Sequence, residues 1–392
     1  MPETVSKSTR SQTSSEGRGS MKLRISQSAL ASAVDRVLSV VPQKTTMPVL
    51  GQLLLQAQGG EIRLTATDLD LAISTVMDGE ITTEGAITLP ARRFSEIVKL
   101  LDPSADVVIE VNKSAVLIVA GRANFRIFGM DASEFPKVPG MGFKKGVSIS
   151  TAQLRKVIRM TVFCVSRDET RRALTGVLWE VGGDTMTMVG TDGHRLARIS
   201  VPAKLDISPA LSVIVPTKAL QQVLRLTGDT VEENLEAKIA EDHAIFRFEG
   251  TTLHTRLIEG PFPKYQDVIP KDNDKKVVMN RLALSEALKR VSVQSDTLTH
   301  QVRLTIRPDE VVLSARTQDV GEGEDHVIAQ YGGEEMSAGY NAVYLNEILR
   351  NMETEEVLLS LGTPLNAGLV EPLEQGEEEN YLCLIMPLRL VD

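Results

Sequence analysis

The chain has 392 residues, a formal net charge of −9 and two cysteines. That length makes two to three domains, and each third is long enough to bury its own core. No run of 18 or more apolar residues and no signal peptide is found, which excludes a helical membrane span and makes the cytoplasm the expected location.

Residues 1–20 (MPETVSKSTRSQTSSEGRGS) are rich in Ser and Thr and nearly free of large apolar groups, so a disordered extension is expected there, with Met21 opening the folded part. From Met21 onward a pair of helix-like segments recurs three times. The first of each pair covers residues 26–41 (SQSALASAVDRVLSVV), 150–165 (STAQLRKVIRMTVFCV) and 280–295 (NRLALSEALKRVSVQS), with starts 124 and 130 residues apart. The second covers residues 89–102 (LPARRFSEIVKLLD), 215–228 (VPTKALQQVLRLTG) and 340–353 (YNAVYLNEILRNME), with starts 126 and 125 apart. Two markers with one period imply a triplicated domain. The expected boundaries are 21–140, 147–270 and 271–392.

Short alternating runs at 86–89, 107–111, 115–119, 124–128, 185–189, 244–248 and 311–315 read as antiparallel strands, with hairpin signals at Gly59-Gly60, Gly182-Gly183-Asp184 and Pro308-Asp309. Each repeat is then an α+β unit of two helices packed on one face of an antiparallel sheet. Cys164 and Cys383 sit in apolar stretches and read as small buried hydrophobes rather than a disulfide or metal framework, so no cofactor is expected.

The six helix-like segments carry thirteen Lys and Arg against six Asp and Glu, in a chain of net charge −9. Basic charge is thus gathered on helices. In residues 150–165 a stripe of Leu154, Val157, Ile158, Thr161 and Val165 opposes Arg155, Lys156 and Arg159. Such a face is either merely solvated or meets a phosphate backbone, in a contact that is sequence-independent and salt-sensitive.

Residues 191–196 (TDGHRL) invite a hydrolase or metal reading through Asp192 and His194. Against it, G-x-S-x-G, H-E-x-x-H, Walker A and G-x-G-x-x-G motifs are absent from the sequence, and His243, His254, His300 and His326 are scattered without ligand spacing. Thr67-Asp68 also stands 124 residues before Thr191-Asp192, which points to a recurring structural turn.

The segments MKLRISQSALASAVDRVLSVV, MPVLGQLLLQA, LTATDL, LPARRF, GTDGHRLA, VIVPTKAL, GPFPKYQDVIP, GYNAVYL and the terminal MPLRL together resemble the bacterial DNA sliding clamps, the beta subunit of DNA polymerase III, over residues 21–390. The resemblance implies three clamp-type domains making half of a closed ring. A head-to-tail homodimer would close six domains around double-stranded DNA without sequence preference, helices lining the hole. It implies a non-catalytic processivity factor, loaded by a clamp loader, that tethers the DNA polymerase III catalytic subunit and other proteins carrying a clamp-binding peptide motif, a Gln followed by apolar residues.

By the same resemblance, the peptide pocket lies between the second and third domains. It would comprise Leu174, Thr191, Gly193, His194, Arg195, Leu196, Pro263, Val268, Asn341, Tyr344, Leu365, Leu384, Met386, Pro387, Leu388 and Arg389, with His194 and Arg195 as rim or wall. DNA contact is expected from Lys44 and the Arg171–Arg172 loop, and along the basic helices from Arg92, Arg155, Lys156, Arg159, Lys218, Arg225 and Lys289. The lack of aromatic residues at Arg172 and Ala173 favours phosphate contact over base stacking. The ring seam would set Arg122, Phe125, Arg126 and Ile127 against Val293, Glu322, Glu324 and Asp325. The sequence departs from the family at Asp267, at Thr299 and in Val391 and Asp392 beyond Leu390, while the five Glu of residues 371–379 are expected to lack a partner. A DNA-binding scaffold that does not encircle DNA, and a hydrolase using Asp192 and His194, are the alternative readings.

Overall fold

The structure, a computed structural model, describes residues 20–138, 146–203, 205, 210–228, 233–240, 242–318 and 320–390. Residues 1–19, where the disordered extension was expected, lie outside the described residues, as do Val391 and Asp392. The chain divides into two compact units: the described residues up to 138 together with Glu249–His254, and the remainder.

Six α-helices are found among the described residues: α1 (Gln27–Leu38), α2 (Ala91–Leu100), α3 (Thr151–Val162), α4 (Thr217–Leu226), α5 (Arg281–Ser292) and α6 (Ala342–Arg350). They form the pairs α1/α2, α3/α4 and α5/α6, one pair in each of three repeated domains. The caps repeat too. Ser26, Ser150 and Asn280 accept hydrogen bonds from Ala29 N, Gln153 N and Ala283 N, satisfying an otherwise unpaired donor at the start of α1, α3 and α5. The second helix of each pair starts two residues later than the sequence suggested, because Leu-Pro, Val-Pro and Tyr-Asn still complete the strands Gly85–Pro90, Leu211–Pro216 and Met336–Asn341. Proline suits that junction, since its fixed φ fits a helix start and its missing N–H is not needed there. Val165 lies past the end of α3 rather than on its stripe.

One brace recurs in all three domains. The first N–H of the leading helix donates to a carbonyl just beyond the second helix: Gln27 N to Ala105 O at 3.0 Å, Thr151 N to Glu233 O at 2.8 Å and Arg281 N to Glu355 O at 2.9 Å. A side chain of the leading helix also reaches a carbonyl at the end of its partner, from Gln27 to Val98 O, Arg155 to Leu224 O and Arg281 to Leu349 O. Carbonyls near a helix end are short of intrahelical donors, so the brace adds a partner there and fixes the pair side by side. Leu30, Val34 and Val37, then Leu154, Ile158 and Thr161, then Leu284, Leu288 and Val291 face the core at equivalent positions.

The first unit holds a five-stranded antiparallel sheet in the order Glu80–Thr83, Ser20–Ser26, Asp106–Asn112, Ala115–Ala120, Ala123–Phe128, leaving Ala123–Phe128 at an edge. Strands Leu71–Met77, Glu61–Thr67, Gln52–Gln58 and Gly85–Pro90 make its second layer. Gly59 and Gly60, both at positive φ, close the hairpin between Gln52–Gln58 and Glu61–Thr67, a conformation that twists with the strands.

In the second unit one sheet of twelve strands joins two domains. Strand Arg195–Pro202 of the second domain pairs antiparallel with Asn380–Ile385 of the third, in register Arg195 to Ile385 and Leu196 to Leu384. Further along, Gly321–Gln330 pairs with Glu310–Thr317 through Ile328, while only Ala329 and Gln330 meet strand Lys275–Asn280. Residues 321–328 therefore expose a second edge.

Candidate functional site

The turn between strands Thr185–Thr191 and Arg195–Pro202 organises the seam of the second and third domains. Thr191 Oγ1 donates to Arg195 O at 2.6 Å and accepts from Gly193 N at 3.1 Å. Asp192 Oδ1 accepts from His194 N at 2.8 Å and Arg195 N at 3.0 Å. Gly193 sits at φ +91°, where a side chain would be strained. Asp192 is thus committed to backbone donors, and its remaining oxygen to Arg195, so the hydrolase reading of Asp192 and His194 has no geometric support.

Arg195 is only 6% exposed and links both domains. Nε donates to Asp192 Oδ2 at 3.1 Å and Nη2 to Phe163 O at 2.9 Å, while Nη1 crosses to Glu347 Oε2 on α6 at 2.5 Å. The guanidinium lies 4.3 Å from the Tyr344 ring centroid. Burial disfavours its charge, but the hydrogen-bonded Glu347 carboxylate and the adjacent Asp192 favour it, and its pKa is raised. His194 is exposed and stacks on the same Tyr344 ring at 6.5 Å, and its carbonyl accepts from Met386 N at 2.9 Å. Of the two residues read as rim or wall, His194 is on the surface and Arg195 is beneath it.

Around this turn lies an apolar cluster of Leu178, Val189, Leu196, Ile214, Tyr265, Leu369, Leu382 and Leu384, drawn from both domains. Val268 (55%), Leu365 (67%) and Met386 (44%) remain exposed. Leu174 is half-buried, and its carbonyl accepts from Ser166 N. Pro387 and Leu388 are half-buried in a terminal segment held along strand Met336–Asn341 by Leu388 N to Gly339 O and Gln301 to Arg389 O. Asn341 is fully engaged, its Oδ1 capping α6 at Tyr344 N and its Nδ2 donating to Thr299 O. Pro263 lines a neighbouring cavity of about 430 Å³ with Leu178, Glu180, Ile214 and Tyr265, on which the other expected pocket residues do not border. Asp267 is exposed, and Thr299 is folded onto Asp296.

Sequence reasoning missed the residues that support this surface. Phe163 and Glu347 anchor Arg195, and Tyr265 donates to Glu180 at 2.8 Å beneath the 261–270 linker. Asn273 Nδ2 donates to Ser360 O and Ala367 O, pinning both ends of the loop that carries Leu365. Tyr265 was visible in GPFPKYQDVIP as an aromatic in a proline-rich linker, whereas Asn273 gave no signal.

Some of the basic residues expected to face DNA are spent within the fold. Arg155 donates to Leu224 O and Thr227 Oγ1; Lys156 pairs with Glu379 at 2.6 Å and Arg159 with Glu353 at 3.6 Å. The Lys156 pair corrects the expectation that residues 371–379 lack a partner: Glu379 turns back onto α3, and Glu371 ends half-buried in strand Gly368–Pro372, where burial raises its pKa. Arg171 holds Asp168, Ser166 and the Asp192 carbonyl. Arg225 contacts Gln222, and Lys218 is exposed on α4. Lys44, Arg92, Arg172 and Lys289 are exposed and make no ion pair among the described residues.

On the edge strand Ala123–Phe128, Phe125 is 38% exposed but Ile127 is buried against Val116, and the more open apolar residue is Phe128 at 63%. Arg122 and Arg126 are exposed, with Arg126 5.6 Å over Phe128. On the other edge Glu322 and Glu324 are exposed, Asp325 binds Arg290 at 2.6 Å, and Val293 is 76% exposed. Cys164 and Cys383 are buried free thiols; burial pushes Cys164 well above its usual pKa and Cys383 up to about 12, leaving both unreactive.

Family models of the DNA polymerase III beta subunit match in succession: the N-terminal domain over residues 21–139, the central domain over 148–264 and the C-terminal domain over 266–389. The beta sliding clamp of Chlamydia pneumoniae is 32% identical over 375 residues, 95% of this chain and 100% of the relative, and that of Pseudomonas putida is 33% identical over 372 residues, 94% and 100%. Among solved structures, the sliding clamp of Bartonella birtlesii bound to griselimycin superposes with a TM-score of 0.89 at 31% identity, covering 95% of this chain and 100% of that one. The Bacillus subtilis clamp gives 0.89 at 30%, also covering 95% and 100%. Three matched domains in order, over nearly the whole length of full-length relatives, place this chain in the family of the DNA polymerase III beta subunit, the bacterial sliding clamps.

Proposed function

We propose that this chain, a non-catalytic processivity factor of DNA polymerase III, acts as half of a head-to-tail homodimeric ring around duplex DNA. The observation that carries the ring is that two sheet edges bear opposite charge, Ala123–Phe128 with Arg122 and Arg126, and residues 321–328 with Glu322 and Glu324. Opposite charges and exposed apolar groups (Phe125 and Phe128 on one edge, Val293 beside the other) suit pairing of one edge with the other across two chains. Ile127 would support that seam from the core side.

The cleft at the domain seam is the candidate dock for a linear peptide motif. Val268, Leu365 and Met386 offer adaptable apolar contacts, His194 and Tyr344 an aromatic wall, and the terminal segment through Arg389 a rim. The clamp loader, the polymerase catalytic subunit and other motif-bearing proteins would share it, in the cytoplasm. Lys44, Arg92, Arg172 and Lys289 are the best-placed cations for phosphate contact, with Lys218 and Arg225 beside them in role. Arg155, Lys156, Arg159 and Arg171 already hold contacts within the fold and are the less available cations.

The test is retention on nicked circular DNA after loading, followed by cutting the circle. Release on cutting is expected of a ring; equal retention on linear DNA would overturn it in favour of a scaffold held by contact energy. His194→Ala is expected to weaken peptide binding and leave the dimer intact. Loss of dimer with normal peptide affinity would overturn the cleft assignment.

A further inference from the structure

The wall of the cleft is built from two domains, and one buried side chain is bonded to both. Arg195 spends three separate N–H groups on three separate segments: Asp192 in its own turn, the carbonyl of Phe163 just past α3, and Glu347 on α6. Its guanidinium carbon lies over the ring of Tyr344, 4.3 Å from the centroid and one turn before Glu347 on the same helix. The preceding residue, His194, meets that ring from the surface and hands its carbonyl to Met386. Consecutive residues of one turn therefore grip an aromatic ring of α6 and fix the terminal segment.

We propose that Arg195 is the positioning residue of this cleft: it touches no peptide, but sets Tyr344 and α6 relative to the His194 turn and so fixes the shape of the wall a peptide meets. The inference rests on the peptide-cleft reading above. The chemistry demands arginine specifically. A lysine carries all its donors on one nitrogen and has no planar fork, so it cannot reproduce bonds that leave three nitrogens toward three segments while keeping the same packing over the ring. With the guanidinium gone, Asp192 and Glu347 become a buried and a half-buried carboxylate without their shared cation, and Tyr344 is free to take another rotamer. A peptide would then have to order the wall on binding, at a cost in affinity.

The experiment uses the full chain labelled with fluorotyrosine, whose five tyrosines give five fluorine resonances, with Tyr344 assigned by Tyr344→Phe. Binding of a fluorescent synthetic peptide carrying Gln followed by Leu and Phe is measured in parallel. Arg195→Lys is expected to shift the Tyr344 resonance selectively and to weaken the peptide by about tenfold or more. A selective shift with affinity within about twofold of the unsubstituted chain would overturn the proposal, as would an unshifted resonance. Should Arg195→Lys fail to fold, Glu347→Gln leaves the Asp192 pair in place and loosens only the α6 side. It is expected to give a smaller loss, about threefold, with a smaller shift of the same resonance, and no loss would overturn the proposal. If the unsubstituted chain binds no peptide, the cleft reading itself falls; if it binds and both variants bind equally well, only the role of Arg195 falls.

Discussion

The first and second domains fold the same Thr-Asp turn and use it differently. In the first, Thr67 Oγ1 donates to Leu71 O and accepts from Leu69 N, both at 3.0 Å, and Asp68 Oδ1 accepts from Leu71 N at 2.7 Å and Asp70 N at 3.1 Å. In the second, Thr191 and Asp192 make the same four bonds around Gly193, His194 and Arg195. The third residue is left-handed in both, Leu69 at φ 85° and Gly193 at φ 91°. The fifth residue is where they part: Leu71 is buried within its own domain, and Arg195 reaches α6 of the next. The backbone device is the repeat's property. The single change from an apolar side chain to a guanidinium makes it a link between domains.

Substitutions at the two turns separate the backbone device from the link between domains. Asp192→Asn keeps the shape of the turn but strips a buried cation of one carboxylate, and is expected to cost about 3 kcal/mol of unfolding free energy in urea titrations. The equivalent Asp68→Asn, at a less buried turn, is expected to cost about 1 kcal/mol or less. Equal losses at the two sites would mean that the turn, not the link, carries the stability. Gly193→Ala places a methyl at positive φ, 3.1 Å from Arg171 Nη1, and is expected to cost about 1–2 kcal/mol by the same titration. Leu69→Gly should go the other way by up to about 1 kcal/mol, since a bulky side chain leaves a strained conformation there.

Lys156 and Glu379 make a half-exposed tie across the same domain seam. A double-mutant cycle with Lys156→Gln and Glu379→Gln is expected to give a coupling of only about 0.5 kcal/mol, falling with salt. The smallest effect is at His326, whose pKa is raised above 6.5 by its hydrogen bond to Glu310 and by Glu324. Its contribution is full below pH 6.5 and fades as pH rises through the raised value in the folded chain. His326→Gln should therefore lower the urea midpoint only on the acid side, and a loss confined to alkaline pH would contradict the ion-pair assignment.

The triplication was legible because it rests on local codes: capping residues, Leu-Pro and Val-Pro junctions, and helix stripes that recur at one period. The Thr-Asp turn was legible for the same reason. What lay out of reach was which charges each helix keeps for itself. Arg155 looked like a free cation on an outward face, and nothing local reveals that the end of α4 lies within its reach, at 2.6 Å from Leu224 O. Ile127 matched a seam pattern by its neighbours, but it is buried beside Val116 while Phe125, two residues earlier, stays open. Glu347 and Phe163, 184 residues apart, meet only through Arg195, and such a meeting is written in the tertiary fold alone.

In the proposed ring the charged edges also govern which copies can meet. An edge strand bearing Glu322 and Glu324 sets like charge against like if it is offered a second copy of itself, and one flanked by Arg122 and Arg126 does the same. In the proposed ring each edge would thus disfavour its own twin and favour the other, so the charge pattern would act as a polarity key that selects head-to-tail over matching-end approach.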